Sequence, residues 1–589
     1  MLVYIPGDAL ALPDRRGDTL RREATPDGMS MCTPGDDAAP GWYAHRKGEK
    51  MVNWKIRGVL ACLGAVVAVC LLPGASARPI AVAADGSSAA TGAQGGVESL
   101  PPEVRAIMEH PLYRYARWSI YVADLATGAP LYDYRGRELV VPGSVTKLFP
   151  GAAALEAYGP DYRFETPVYR RGTVDGQGAL HGDLILVARG DLTMGGRNTP
   201  DGHIDYTSID HTYANAFPQL ATLTPENPLA GLDDLARQVA ATGIRRVGGN
   251  VIIDARLFDQ MPKDDYVLSP IMINDNVIDI TVRPAGVGQA ATVVTRPETA
   301  AYEVLSAVQT VAAGQQLDLA VESPQPGQIF VHGHIPADMA QALRTFQAAA
   351  PPAFARTLFI EALQRQGIIV DAPPTGANSA TLLPPSGSYT PADQVAMLRS
   401  LPFSENLNLI FKVSMNVQAD TLVMLLAAKH GQTTFDDGME QILAFLRTTP
   451  LDTQAVSLGD GRGDARGDLF SPYTATELLR YMATRPDAST YRDALPLLGE
   501  KGTEIDTVAP TSPLRGKASG KSGTTVVGDL LHQRPMILGR GLAGYTPTAS
   551  GRELAYSIFV NTVPLADVSD VFTPIKDQGT MLESIYERN

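Results

Sequence analysis

Lys147 and Ser414 stand 267 positions apart, and that gap limits what this chain can fold into. Each belongs to a short polar cluster bounded by apolar runs: Ser144-Val145-Thr146-Lys147, then Ser414-Met415-Asn416, and later Lys521-Ser522-Gly523-Thr524. If the clusters serve one site, the residues between the first two must fold out as one or two inserted domains. The first cluster alone decides nothing, because about one Ser-x-x-Lys is expected by chance in a chain this long. Ser144 and Lys147 read either as a nucleophile with its base or as two polar residues opening a surface helix. Composition sharpens the choice. The chain has 38 arginines against eleven lysines, and no other Lys beyond Met51 follows a Ser by three residues. A lysine kept in such a chain fits a site needing an amine that can lose its proton, which Arg cannot do.

A serine hydroxyl attacks only once a base takes its proton, a step worth about 10²–10⁴ in rate. Lysine can be that base where burial or a neighbouring cation lowers its pKa. Such a site also needs a polar group to relay the proton and hold a substrate amide, and a cation for a substrate carboxylate. "FKVSMNVQADTLVMLLAAKHG" supplies the first, with Ser414 and Asn416 opening an apolar, helix-like run. "ASGKSGTTVVGDL" supplies the second, with Lys521, Ser522, Gly523 and Thr524 opening a β-branched, strand-like run. Lys517 is the weaker candidate, because Ala518 and Ser519 after it lack the hydroxyl-then-glycine order. Upstream, "RWSIYVADLATGAPLYDY" alternates Trp118, Ile120 and Val122 before a Thr127-Gly128 turn, which is a hairpin signal. Pro150 is at odds with a helix running on from Ser144 unless it lies in the first turn.

In this order, the three clusters resemble the S-x-x-K, S-x-N and K-[ST]-G elements of β-lactamases and penicillin-binding proteins. The long gap after Lys147 is similar to the class C low-molecular-mass penicillin-binding proteins, the penicillin-binding protein 4 type of D-alanyl-D-alanine carboxypeptidase/endopeptidase. "ALHGDLILVARGDLTM", "GIRRVGGNVIIDARLFDQ", "INDNVIDITVRPAG", "GRGLAGYT" and "ELAYSIFVNT" resemble further stretches of that family, from about Pro101 to the C-terminus. Two segments depart from it. "DGRGD" has Arg462 where the family often has Ser, and "DLLHQRPMILGR" makes a longer, polar-tipped connection after the K-S-G-T strand.

The resemblance implies an α+β fold: a β-lactamase/transpeptidase-like domain, an antiparallel sheet with flanking helices, carrying a large strand-rich insertion. Residues 101–164 and 390–589 are expected to form the catalytic domain and 165–389 the insertion. Within the insertion, residues 195–225 are expected to be a surface loop near the cleft. The implied reaction is acyl transfer from peptidoglycan stem peptides ending in D-Ala-D-Ala, with β-lactam antibiotics acylating the same serine. Ser144 would be the nucleophile and Lys147 its base. Ser414 would relay a proton and Asn416 hold the substrate amide. Lys521, with Ser522 or Thr524 beside Gly523, would bind the terminal carboxylate. No metal and no organic cofactor is expected. A β-lactamase, or a non-catalytic peptidoglycan-binding protein on the same scaffold, remains open on these motifs.

Other classes find little support. A net charge of −14 without a dense basic run argues against nucleic acid. His332 and His334 share a strand face, and His203 and His211 an Asp-rich loop, but neither pair has the third ligand a zinc site needs. The three cysteines, Cys32, Cys62 and Cys70, all precede the bulk of the chain. Met51–Arg57 is basic, Gly58–Leu72 apolar, and Ala75 and Ala77 end an A-x-A-like cleavage site, so 51–77 reads as a secretory signal. Export to the periplasm or cell envelope is expected, and an uncleaved signal would hold the chain at the membrane. Residues 1–50 read as an extension upstream of a true start at Met51, and 78–100 as an Ala/Gly/Ser-rich linker.

Overall fold

Strands that alternate apolar and polar residues need one covered face, whereas strands apolar throughout need two. Trp118, Ser119, Ile120, Tyr121 and Val122 are all buried, so the Arg117–Asp124 strand is of the second kind. A computed structural model, describing residues 99–589, places it inside a five-stranded antiparallel sheet. The order is Ser519–Asp529, Arg534–Pro547, Glu553–Pro564, Arg117–Asp124 and Pro130–Tyr134. The sheet thus joins residues from both ends of the described chain, and the strand carrying Lys521 is one of its two edges. The expected extension 1–50, signal 51–77 and almost all of the linker 78–100 lie outside the described residues. Among the described residues, no helix is long and apolar enough to cross a membrane.

Each face of the sheet has its own cover. On one, Ile120, Val122, Leu542, Ile558 and Val560 pack with Val571, Leu582 and Ile585 of the C-terminal segment. On the other, Ala543, Tyr545, Ala555 and Phe559 join a core built on three helices, Leu148–Tyr158, Asn416–Lys429 and Pro472–Ala483. The Asn416–Lys429 helix is apolar nearly all round, which requires burial on every side. Residues 417–427 are all buried, each large aliphatic among them worth about 1.5–3 kcal/mol. Pro150 lies in the first turn of the Leu148–Tyr158 helix, where its missing N–H has no intrahelical acceptor to lose.

The middle of the chain builds other sheets around a separate apolar core. Glu165–Val174 and Ala179–Val187 form an antiparallel pair, extended in parallel by Arg246–Val247 and Val251–Asp254. Two three-stranded sheets and the helices Ala230–Ala241 and Pro351–Arg365 complete it. Residues 394–399, assigned by sequence to the second catalytic stretch, instead pair with Glu165–Tyr169 as the outer strand of this inserted sheet.

Candidate active site

Ser144 lies in a 3₁₀ turn, Gly143–Lys147, that runs directly into the Leu148–Tyr158 helix. Side chains three apart in a 3₁₀ turn eclipse one another. Lys147 is therefore held under Ser144, with Nζ 2.7 Å from Oγ, and both residues are buried. Nζ also reaches Asn416 Oδ1 at 2.8 Å and the Arg462 carbonyl at 2.8 Å. Three acceptors match the three N–H groups of an ammonium. Burial pushes the Lys147 pKa down to about 8, against the pull of the Asp464, Asp460 and Asp420 carboxylates. Loss of one proton turns the Ser144 contact around: the hydroxyl then donates to the amine lone pair, which is the geometry of a base about to accept.

The backbone around Ser144 is packed at the limit that glycine permits. Gly143 has φ +54, and a Cβ on it would lie 2.8 Å from Thr524 N. A Cβ on Gly523 would lie 2.7 Å from the Gly143 carbonyl carbon and closer still to Ser144 N. A Cβ on Gly463 would strike the Gly143 carbonyl. The glycine of the third cluster is thus needed so that the edge strand can rest against the Ser144 turn. The backbone nitrogens of Ser144 and Thr524 both lie at that contact.

Asn416 is the first residue of its helix, and with Oδ1 engaged by Lys147 its Nδ2 remains to donate. Ser414 sits two residues earlier with φ +68, a left-handed conformation that is strained for a non-glycine residue. Its carbonyl accepts a 2.6 Å bond from Tyr213, while its buried Oγ has no hydrogen-bond partner among the described residues. Tyr213 belongs to the 195–225 segment, so that loop lies near the cleft but packs a buried side chain on the Ser414 turn and is not wholly surface.

Lys521 is fully buried, whereas Lys517 is exposed. Burial, and next the charge of Lys147, pushes the Lys521 pKa well below its usual value, and Nζ donates to the Ser522 carbonyl at 2.6 Å. Side chains alternate along the strand. Lys521 and Gly523 face Ser144, while Ser522 and Thr524 pair across the sheet with Leu542 and Arg540 on the face turned to the C-terminal helix. The structure therefore gathers Ser144, Lys147, Asn416, Lys521 and Gly523 directly. Ser414 stands beside them without a bond, and the Ser522 and Thr524 hydroxyls lie behind the strand.

The "DGRGD" departure has a simple outcome. Asp460 caps its own turn, accepting from Arg462 N at 3.0 Å and Gly463 N at 2.6 Å. Lys147 uses the Arg462 carbonyl, which any residue would supply. The guanidinium turns away to Asp265 at 2.7 Å and Tyr266 Oη at 3.0 Å. Sequence reasoning passed over Arg462 as a contact, and also Tyr213, Glu504 and Arg540. Arg540 stands between Gly539 and Gly541 in mid-strand and is buried.

A cavity of about 190 Å³ opens beside Asn416, lined among others by Tyr213, Asn215, Asp265 and Asp275. Asp275 is fixed by Arg197 at 2.9 Å, His211 at 2.9 Å and Gln418 at 3.2 Å. His211 is structural: although burial opposes it, Asp279 and Asp210 raise its pKa to about 10 and hold it protonated. His203 is exposed and contacts Glu405, and His332 contacts Glu322. No group of three or more His, Cys, Asp or Glu that could hold a metal ion occurs among the described residues. The connection after Lys521 is a long hairpin whose tip exposes Leu530 and Leu531 beside His532 and Gln533, so it is half apolar where the sequence suggested a polar tip.

Residues 101–580 match the D-Ala-D-Ala carboxypeptidase 3 (S13) family. The chain is 30% identical over 532 residues to the D-alanyl-D-alanine carboxypeptidase of Actinomadura sp. (strain R39), covering 86% of this chain and 88% of that one. It is 23% identical over 460 residues to D-alanyl-D-alanine carboxypeptidase DacB of Haemophilus influenzae, covering 74% and 83%. The crystal structure of penicillin-binding protein 4 from that organism superposes with a TM-score of 0.60 at 18% identity, over 82% of this chain and 99% of that one. A β-lactamase/transpeptidase-like fold with a large insertion is therefore common to both structures. With the Ser-x-x-Lys, Ser-x-Asn and Lys-Ser-Gly clusters converging on one cleft and the family match running almost from end to end of the described residues, the chain belongs to the D-Ala-D-Ala carboxypeptidase 3 (S13) family.

Proposed function

We propose that this protein is a serine-type D-Ala-D-Ala carboxypeptidase, with endopeptidase action on cross-linked stem peptides, working through an acyl-enzyme on Ser144. The observation that carries the reading is Lys147 Nζ, buried, lowered toward neutrality and held 2.7 Å from Ser144 Oγ. Ser144 Oγ attacks the carbonyl of the penultimate D-Ala as its proton passes to Lys147. The oxyanion rests between the N–H groups of Ser144 and Thr524, a donor pair of which each member is worth about 10²–10³ in rate. Collapse of the tetrahedral species breaks the peptide C–N bond, and the proton taken up by Lys147 passes to the leaving D-Ala amine through the Ser414 hydroxyl, which gives one proton and receives another, so Lys147 is neutral again. Asn416 Nδ2 holds the substrate amide on the acyl side, beside the cavity lined by Asp265 and Asp275. Water then cleaves the ester, with Lys147 again the base. β-Lactams enter the same path because their strained amide and carboxylate occupy the same places.

The substrate lies in the cell envelope, and the signal-like segment 51–77 is the route we propose for reaching it. The decisive assay is incubation of the protein with purified pentapeptide muropeptides and cross-linked dimers, read by mass. Monomers are expected to lose one D-Ala and dimers to fall to monomers. A folded protein that releases neither product would end this reading.

Lys521 provides a separate check on the carboxylate end. Lys521→Ala is expected to lower both peptide cleavage and penicillin acylation about a hundredfold, the worth of a charge-assisted contact at a buried site. Lys517→Ala, at an exposed position, should change either rate less than about twofold. The reverse ranking would reassign the motif to Lys517.

A further inference from the structure

Lys147 and Asn416 hold each other, whereas the buried Ser414 Oγ has no hydrogen-bond partner among the described residues. Its position is therefore set by the backbone alone, and that backbone has φ +68, a conformation serine does not favour. Left to itself, a serine just ahead of a helix takes a negative φ and bonds its hydroxyl to a nearby backbone N–H. The opportunity exists here, because the Asn416–Lys429 helix begins without a side-chain cap. A hydroxyl engaged in that way has its proton committed locally and cannot relay one.

The restraint comes from the inserted part of the chain. Tyr213 Oη donates to the Ser414 carbonyl at 2.6 Å, and Thr212 Oγ1 donates to Met415 Sδ at 3.4 Å. The Tyr213 side chain clusters with Leu409, Val413 and Met415, two of which flank Ser414 in the chain. Tyr213 is itself fixed by its neighbours. His211 donates to Asp279 at 2.6 Å and to Asp275 at 2.9 Å, and Asp210 accepts from both terminal nitrogens of Arg197, at 2.8 and 2.9 Å. All of these charged groups are buried, and none takes a part in the reaction. They anchor the short turn His211–Tyr213 from which the phenol reaches the catalytic side. We propose that Tyr213 is a positioning residue that keeps Ser414 in its left-handed conformation with Oγ free. The 195–225 segment then governs protonation of the leaving group and leaves the attack of Ser144 untouched. This rests on the reading that Ser144 forms the acyl-enzyme and Ser414 passes the proton on.

The leaving group distinguishes this role from a merely structural one. When a peptide C–N bond breaks, the amine must take the proton that Lys147 received. When the same acyl-D-Ala group is carried on a thiol, the C–S bond breaks, the thiolate leaves without a proton, and Lys147 returns its proton to solvent. The test compares kcat/KM, which reports acylation, for an acyl-D-Ala-D-Ala peptide and for the matching thioester. The proteins compared are the wild type, Tyr213→Phe, Ser414→Ala and the double variant. Tyr213→Phe keeps the ring and its packing and removes only the hydroxyl. It should lose about tenfold on the peptide, the worth of one hydrogen bond, and less than about twofold on the thioester. In the Ser414→Ala background the same change should alter peptide cleavage less than about twofold, because residues that act through one another do not add. Thr212→Val, which touches only the Met415 contact, is the second variant if Tyr213→Phe does not fold, and it should lose rate on the peptide alone. Wild-type rates on the peptide, equal losses on both substrates, or losses that multiply in the double variant overturn the role of Tyr213. A Ser414→Ala enzyme with the wild-type rate on the peptide overturns the underlying relay through Ser414 instead.

Discussion

Replacing Ser144 by Ala, or Lys147 by Arg, will abolish the long-lived ester that labelled penicillin forms on the peptide containing Ser144. The first change removes the nucleophile. The second keeps the charge and removes the base, because guanidinium stays protonated at any working pH. It also forces a larger, planar head into a buried space where Ser144, Asn416 and the Arg462 carbonyl leave room for one nitrogen. A loss of at least about 10⁴ in acylation rate is expected for each, since residues that act as a unit fail together. The pH dependence follows from the same group. Neutral amine is the active form, and burial places its pKa near 8, so acylation should fall about tenfold per unit as pH drops below about 8 and level off above it. Peptide mapping and a pH series of acylation rates check both. Label found on Ser414, or persisting in Ser144→Ala, would remove the assignment, and a flat profile from pH 6 to 9 would remove Lys147 as the base.

How much of this was legible beforehand depends on the range of each contact. The Ser144–Lys147 pair is local, three residues apart on one turn, and its chemistry can be argued from spacing. Ser414 and Asn416 open a helix whose apolar run is visible in the sequence, and Lys521–Thr524 opens a run of β-branched residues. The fold class was readable for the same reason, since each cluster lies on the element type that brings it to a common cleft. What escaped are contacts with no local signature. Lys147 uses a backbone carbonyl at Arg462, which side-chain reasoning cannot find. Glu504, Arg540 and Gln578 meet behind the sheet from three separate elements, and only the strand register reveals that Thr524 faces Arg540. Tyr213 reaches Ser414 from the inserted part of the chain, where neither periodicity nor motif marks it. The strain at Ser414 is likewise invisible in the sequence, because serine carries no preference for a positive φ.

Gly523→Ala will separate the two halves of the oxyanion site while leaving the fold in place. Nothing about the backbone forbids alanine there, for Gly523 is not among the residues with positive φ. The obstacle is contact alone. The added Cβ would lie inside the van der Waals shells of Pro142 O, Ser144 N and the Gly143 carbonyl carbon, all backbone atoms with no rotamer to yield. Relief requires the edge strand to move off the Ser144 turn by roughly an ångström, and a displacement of that size is enough to cost about a hundredfold where reacting groups must be aligned. Thr524 N moves with the strand and Ser144 N with the turn, so both donors are lost to a common oxyanion. Acylation by penicillin and peptide cleavage should therefore fall together by about 10²–10³. Thermal stability should drop by much less, because the strand keeps its pairing with Arg534–Pro547. Gly528→Ala is the matched control on the same strand: it is exposed, and its Cβ would meet only the flexible end of Leu530 at an ordinary 3.7 Å. Gly528→Ala should leave both rates within about twofold. If Gly523→Ala acylates at the wild-type rate, the N–H groups of Ser144 and Thr524 are not the oxyanion donors, and the transition state must be held by another part of the cleft.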